Sequence, residues 1–600
     1  MSDDFFSSSD SVRSAEPLKH TQRVTFSDPL RLELGGHLPS VTVTYETYGR
    51  LNEARDNAVF ICHALSGDSH VAGHDEEDDV GWWDIMVGPG KPIDTERLFV
   101  ICPNILGGCR GTTGPNSINP ATGRPYGRDF PAITIGDMVG VHLRLLEHLG
   151  IEKVLAAVGG SMGGFQALHW GACFPETIAA VIPIAASGRL SSQALAFDVV
   201  GRNAILRDPN FHNGQYYGKG TGPDVGLAIA RMIGHITYLS REAMQQKFEA
   251  DRLEPRDVPV AFEKKFSVGS YLGYQGAKFV ERFDANSYIV LSMAMDLFDL
   301  GGSVEELARV LERSNCRWLV ISYTSDWLFP PAESQQIVNT LLSINKPVSY
   351  CNVKSTCGHD ALLLSDDLDV YGELIRAFLL NLGGPRTAHR PRQRKDASPT
   401  SIFQAHRLDL DQIMELIPLS ASVLDLGCGD GALLARLRAG HASPVMGVEL
   451  SEQAILECVR QGLDVIQADL NEGLPGFADR QFDYVVLSQT LQAVRDVERL
   501  MDEMLRVGRR SIVTFPNFAY YKLRKMLAEN GRAPETAGIL RYKWYDSPNI
   551  RFFTIADFED FCAAKGVKVH RRITLDTEAG RDIRDDPNLN ADLAIFVISR

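Results

Sequence analysis

The sequence predicts two α/β domains in tandem, each a largely parallel sheet with crossover helices. Three observations predict it. Six hundred residues exceed what one hydrophobic core usually organises. Two long stretches alternate short β-branched runs with helical patterns. Between them, Gly383-Gly384-Pro385 halts a helix, and RTAHRPRQRKDASPTS follows with almost no apolar content.

The expected order is a disordered, Ser- and Asp-rich start over 1–20, a first domain over 21–382, a linker over 383–402 and a second domain over 403–600. Arg390, Arg392, Arg394 and Lys395 read as a solvated linker, because no aromatic side chain interleaves the charges. In the first domain, 59–62, 99–102, 154–158, 181–184, 318–323 and 348–353 read as strands. Thr134 to Gly150 reads as a helix, with Thr134 and Asp137 spaced as a capping box. From about 187 to 305 the rhythm breaks into helical pattern. Its place between two core strands predicts a lid over the sheet.

Composition narrows the chemistry. The apolar fraction is 44%, the charged fraction 23% and the formal net charge −15. This is ordinary globular protein, and the acidic balance argues against a large nucleic-acid footprint. The ten cysteines form no C-x-x-C pair. Neither a disulfide framework nor a metal site is expected, and a reducing cytoplasm is. The start lacks the basic and apolar run of a secretory signal, and no apolar stretch approaches the ~20 residues of a membrane span.

The first domain carries a nucleophile motif. The strand pattern VLAAV runs into Gly159-Gly160-Ser161-Met162-Gly163-Gly164 and then the helical FQALHWGACF. That is G-x-S-x-G on the strand–turn–helix its chemistry needs. Glycines permit the tight turn, the serine Oγ is left exposed, and the helix start supplies free N–H groups to an oxyanion. A glycine-rich turn that merely contains serine is the plainer alternative, and the setting disfavours it. A neutral serine needs a histidine base and an orienting acid in the order Ser, Asp, His. Asp326 follows the strand at 318–323, and His359 follows the next strand; among fifteen histidines, that position singles it out. The amides of Leu65, in the loop after an early strand, and Met162 are the expected oxyanion donors. The fold class is therefore an α/β-hydrolase fold with an inserted helical lid.

The segments VTYETYGRLN, HALSGDSHVAG, GWWD, GPGKPIDT, GPNSINP, GGSMGG, RMIGHITYLS, RFDANSY, TSDWLFPP and GHDALL, spread in order over about 20–382, resemble the homoserine O-acyltransferase family, MetX. The resemblance implies a ping-pong transfer of an acyl group from acyl-CoA to the hydroxyl of L-homoserine, with no further cofactor, in a homodimer. It also implies that Arg231 takes the substrate carboxylate and Asp360 its ammonium. The plainer alternatives are a helix-surface arginine and a helix N-cap. Leu328 stands where the succinyl-using branch carries an arginine, so acetyl-CoA is the expected donor. Succinyl-CoA, or hydrolysis by a serine esterase with a regulatory C-terminal binding module, are the alternatives.

In the second domain, Val423-Leu424-Asp425-Leu426-Gly427-Cys428-Gly429-Asp430-Gly431 reads as a strand, a glycine turn and a helix start. The spacing is not the dinucleotide G-x-G-x-x-G. It resembles the first motif of Rossmann-like class I methyltransferases, and the resemblance implies S-adenosylmethionine held by Asp425, Gly427 and Gly429, with Glu449 on the ribose and Asp469 near the adenine. A core turn with no ligand is the plainer alternative. FDYVVLSQTLQAV, EMLRVGRRSIVTFPNF, WYDSPNIRFFT and DFEDFC make about 403–600 resemble MetW, a methyltransferase-like protein of methionine synthesis. No residue set for a methyl acceptor is evident. The same partner domain often accompanies succinyl-type acyltransferases, which conflicts with Leu328.

Overall fold

A computed structural model describes residues 18–249, 266–382, 408–440, 444–536, 538 and 540–600. The expected disordered start up to residue 17 and the linker at 383–402 lie outside these residues, as does 250–265 of the expected lid. The chain divides into two compact units, 1–383 and 384–600.

The first unit is built on eight strands: β1 (Gln22–Phe26), β2 (Val41–Tyr48), β3 (Ala58–Cys62), β4 (Phe99–Pro103), β5 (Ala156–Gly160), β6 (Ala180–Ile184), β7 (Arg317–Tyr323) and β8 (Val348–Val353). Their order is β1-β2-β4-β3-β5-β6-β7-β8. All pairings from β4 onward are parallel, while β1 and β2 add an antiparallel edge. Central strands read as continuous apolar runs because helices cover both faces, and Ile61, Val158, Ile182 and Ile321 are fully buried. Each such side chain contributes about 1.5–3 kcal/mol.

Helix α1 (Ile135–Leu149) starts at a complete Thr134–Asp137 capping box and stops at left-handed Gly150. Helix α2 (Met162–Cys173) follows β5 directly. The strand before it spans 156–160 rather than the expected 154–158, and Val154 makes only an isolated bridge to Ile178. Gly159 and Gly160 themselves pair in the sheet, which the apolar pattern could not register. Between β6 and β7 the chain forms α3 (Ser192–Leu206), α4 (Asp224–Tyr238), α5 (Arg241–Phe248), α6 (Ser267–Val280), α7 (Ala285–Asp296) and α8 (Val304–Leu311).

The second unit holds β9 (Val423–Leu426), β10 (Val445–Glu449), β11 (Asp464–Gln467), β12 (Phe482–Ser488), β13 (Gly508–Pro516), β14 (Lys568–Asp576) and β15 (Leu593–Ser599). The order is β11-β10-β9-β12-β13-β15-β14. The first five strands are parallel, and β15 enters antiparallel to both β13 and β14. Val423, Val486, Ile512 and Ile595 centre its core. The switch in strand order falls between β9 and β12, where the glycine turn leaves β9; open α/β sheets bind ligands at such a point.

Among the described residues, no helix is long and apolar enough to cross a membrane, and the ten cysteines are free thiols.

Candidate active site

Ser161 sits between β5 and α2 with φ 56° and ψ −126°, a left-handed conformation costly for a residue with a side chain. The strain is held in place from both sides. The Ser161 amide donates to the Ile184 carbonyl at 3.0 Å, and the Ser161 carbonyl accepts from the Phe165 amide at 3.2 Å. Helix α2 lies so close to β3 that a Cβ on Gly163 would stand 2.0 Å from the Cys62 carbonyl oxygen. Only glycine fits there, and the helix N-terminus is thereby aimed at the end of the sheet.

Asp326 and His359 leave the carboxyl ends of β7 and β8 and meet. His359 Nδ1 donates to Asp326 Oδ2 at 2.8 Å. Asp326 Oδ1 accepts the amides of Leu328 at 3.0 Å and Phe329 at 2.9 Å. Both carboxylate oxygens are therefore occupied, and the acid is 3% exposed. Burial works to lower the His359 pKa, but the Asp326 charge overrides it and leaves the imidazole above its ordinary value. That is what stabilises an imidazolium formed during proton transfer.

Ser161, His359, Leu65, Arg231, Leu328 and Asp360 all line one cavity of about 520 Å³. Arg231 lies over Phe279 with its guanidinium carbon 4.8 Å from the ring centroid, and over Tyr238 at 5.6 Å. These contacts hold the cation in place, and one Nη donates to Ser66 Oγ at 3.4 Å. Burial outweighs the opposing His359 and Arg231 charges and leaves the Asp360 carboxyl above its ordinary value. Met162, the other expected oxyanion donor, is the first residue of α2, where amides have no intrahelical acceptor.

Three residues that sequence reasoning missed complete the site. Gln166, fully buried, donates Nε2 to the His63 carbonyl at 3.0 Å and to the Met162 carbonyl at 3.4 Å, and bonds the His142 ring at 2.8 Å through Oε1. One side chain thus ties the loop bearing Leu65 to the helix turn bearing Met162. Its signal was a lone amide in an apolar helix. Arg282 also lines the cavity, donating to the Ser66 carbonyl at 2.9 Å with its guanidinium carbon 5.3 Å from the Phe279 ring centroid. Asp198 lines the wall as well. Burial, with Asp296 beside it, pushes its pKa up to about 8. Arg202 pairs with Asp296. Nothing in the periodicity of α3 marks that residue.

Glu46, His70 and His74 are close enough to hold a metal ion. Their donors are already used. Glu46 Oε2 accepts from Tyr48 at 2.8 Å, His70 at 3.0 Å and His74 at 2.9 Å, while the other His70 nitrogen reaches the Asp79 carbonyl at 2.7 Å. The bond to Glu46 outweighs burial and raises the His70 pKa to about 9, so the cluster is an ion pair that anchors the cavity-lining loop around Asp68 and Val80.

In the second unit, Gly427, Gly429 and Gly431 all take positive φ. A Cβ on Gly427 would strike Thr490, whereas Gly429 faces open space. Glu449 ends β10, and its Oε2 accepts the Gly429 amide at 2.8 Å. Its Oε1 takes the amides of Leu450 at 2.8 Å and Ser451 at 3.0 Å. Asp425 is buried within β9. Asp469 lies two residues beyond β11, and its Oδ1 is taken by Asn471 in capping a short 3-10 turn.

Residues 57–366 match the alpha/beta hydrolase fold model, and 407–598 match that of methionine biosynthesis protein MetW. The bifunctional methionine biosynthesis protein MetXA/MetW of Rhodopirellula baltica is 50% identical over 611 residues, covering 100% of this chain and 96% of its own. A homoserine O-acetyltransferase of Rhodospirillum rubrum is 50% identical over 61% of this chain and 93% of its own. A homoserine O-succinyltransferase of Alkalilimnicola ehrlichii is 49% identical over 59% and 93%. Among solved structures, esterase E22 is similar at 32% identity and TM-score 0.55, covering 60% of this chain and 100% of that one. Homoserine O-acetyltransferase from Bacillus anthracis is similar at 28% and 0.54, covering 61% and 98%. Matched end to end by such a relative, with both parts in the same order, the chain belongs to the family of bifunctional methionine biosynthesis proteins MetXA/MetW.

Proposed function

We propose that the first unit transfers an acetyl group from acetyl-CoA to the side-chain hydroxyl of L-homoserine. The observation that carries this is one cavity in which a nucleophilic serine and an Asp-oriented histidine meet a forked cation, Arg231, and a carboxyl, Asp360. A plain esterase needs only the serine and histidine. A cation and an acid together match the two charged ends of an amino acid.

Ser161 Oγ attacks the thioester carbonyl as His359 Nε2 takes its proton, and the Leu65 and Met162 amides receive the oxyanion. Collapse expels the CoA sulfur, which takes the proton back from His359, and leaves the acyl group on Ser161. Homoserine then binds with its carboxylate at Arg231 and its ammonium at Asp360. His359 removes the hydroxyl proton as the oxygen attacks the ester carbonyl, and collapse of the second tetrahedral species releases O-acyl-homoserine while Ser161 Oγ takes the proton back from His359.

Leu328 favours acetyl because an apolar side chain offers nothing to a terminal carboxylate. The succinyl reading keeps two supports, the MetW-type partner domain and further cavity-lining cations such as Arg282. Incubation with acetyl-CoA alone, read by intact mass and peptide mapping, tests the first half-reaction. One acetyl group on Ser161, discharged on adding L-homoserine and stable to added glycine, is the expected result. Discharge by water at the same rate contradicts it.

The second unit fits an S-adenosyl compound: its glycine turn opens over Gly429, and the Glu449 carboxylate stands at the turn with capacity left for a ribose hydroxyl. When bound, such a cofactor supplies an electrophilic methyl group. Gly429 and Glu449 would hold its nucleoside. Asp469 is turned to its own helix cap and is the weaker assignment.

A further inference from the structure

Away from the reacting groups, two imidazoles of the first unit converge on one carboxylate oxygen. Glu46 lies on β2, fully buried, and its Oε2 stands 3.0 Å from His70 Nδ1 and 2.9 Å from His74 Nε2. The three donor atoms all lie within 4.8 Å of one another. As an ion pair, the set is held by the ring protons that point at Oε2. Without those protons the same atoms are two nitrogen lone pairs and a carboxylate, the donor set that zinc-class cations take.

The surroundings hold both rings in that aim. His70 Nε2 donates to the Asp79 carbonyl at 2.7 Å, so Nδ1 is the nitrogen turned to the site. A ring that binds a metal through one nitrogen is oriented in this way by a hydrogen bond from the other. His74 packs on Tyr48, with ring centroids 4.3 Å apart and planes 17° from parallel, and on His20 at 4.4 Å. Its amide donates to Asp78 Oδ2 at 2.9 Å, which brings a second negative charge near the set. The His74 side chain is 20% exposed, and that edge gives an ion its way in. Zinc ligands at about 2.1 Å in a tetrahedron stand about 3.4 Å apart, so the donors need spread by only a few tenths of an ångström.

We propose that Glu46, His70 and His74 bind one zinc-class divalent cation, with water in the fourth position, and that the ion pins the loop over 63–84 to β2. His70 gives its Nδ1 proton to solvent, and His74 carries its proton on Nδ1 instead of Nε2. The loop bears Leu65, Asp68, Val80, Trp82 and Trp83 of the cavity wall, so the ion stiffens one side of the cavity without touching the reacting atoms. The site stands whether or not the first unit transfers an acyl group.

Cobalt(II), whose visible absorption reports its own coordination, tests this on the full chain. The expected result is one ion per chain, with the strong visible bands of a tetrahedral nitrogen and oxygen site and no thiolate charge-transfer band. Zinc(II) should displace it, and either ion should raise the melting temperature. His74→Gln, whose amide still reaches Glu46, should weaken binding about 30-fold or more and abolish the rise in melting. His70→Gln should do the same, so each variant checks the other, and melting without metal shows that both are folded. His212→Gln, at an exposed histidine elsewhere, should leave affinity within about twofold. No visible bands with the unaltered protein, a thiolate charge-transfer band, or equal affinity in the His74 and His70 variants overturns the site.

Discussion

The two sheets end in opposite kinds of site. At the end of the first, the groups that orient the histidine and the nucleophile turn are paired: Asp326 accepts three hydrogen bonds, and Gln166 ties a loop, a helix turn and a histidine together. At the end of the second, Gln489 and Gln492 between them carry three buried side-chain atoms without a partner among the described residues. A covalent catalyst must hold its groups in working geometry before substrate arrives, so its supports pair among themselves. A site built to hold a molecule leaves polar atoms for that molecule to satisfy. The difference separates side chains held in fixed geometry by their partners from side chains whose buried groups the fold leaves unpaired.

The comparison breaks most readily at the nucleophile. Ser161→Ala should lower kcat by about 10⁴-fold or more with melting unchanged, and Asp326→Asn by about 10⁴-fold, since it leaves the shape but loses the correct His359 tautomer. Steady-state release of CoA measures both. Gln166→Leu sharpens it next. If Gln166 sets the spacing of the Leu65 and Met162 amides, kcat should fall about 10- to 100-fold with KM nearly constant. A boronic acid that mimics the tetrahedral species should lose affinity in proportion. A merely structural role would lower melting and leave that proportion unseen. Arg231→Ala should slow discharge of the acyl-enzyme by homoserine about 10- to 100-fold and leave its formation by acyl-CoA within about threefold. Stopped-flow and single-turnover mass measurements separate the steps.

The smallest effect is on stability. Asp198 holds its proton up to about pH 8 in the folded chain, while an unfolded aspartate gives it up near 3.8. The folded state binds more protons between those values, so this group's contribution is full below pH 3.8 and is lost as pH rises through about 8. Asp198→Asn stays neutral throughout. It should gain on the unaltered protein by about 1–3 kcal/mol between pH 4 and 8, read as a flatter melting profile against pH.

The sequence made some of this legible and hid the rest for physical reasons. Chain-local chemistry was readable: the Ser161 turn needs glycines at fixed offsets, and Thr134, Asp137 and Gly150 announce both ends of α1. The order Ser, Asp, His after successive strands placed His359 opposite Asp326 across 33 residues. Long-range service roles were not readable. Gln166 and Asp198 act through partners brought near only by the fold, and Gln489 looks like any strand-end polar residue until burial shows that it lacks a partner. Asp469 shows the converse: an acid just past a strand fits a ligand-site pattern and a helix cap equally well, and here its Oδ1 caps.

The most direct test gives the full chain L-homoserine with equal acetyl-CoA and succinyl-CoA and identifies the products by mass spectrometry. O-acetyl-homoserine as the dominant product, absent with Ser161→Ala, is the predicted result. O-succinyl-homoserine would keep the transfer and contradict the role given to Leu328, while acetate without acylated homoserine would contradict transfer itself.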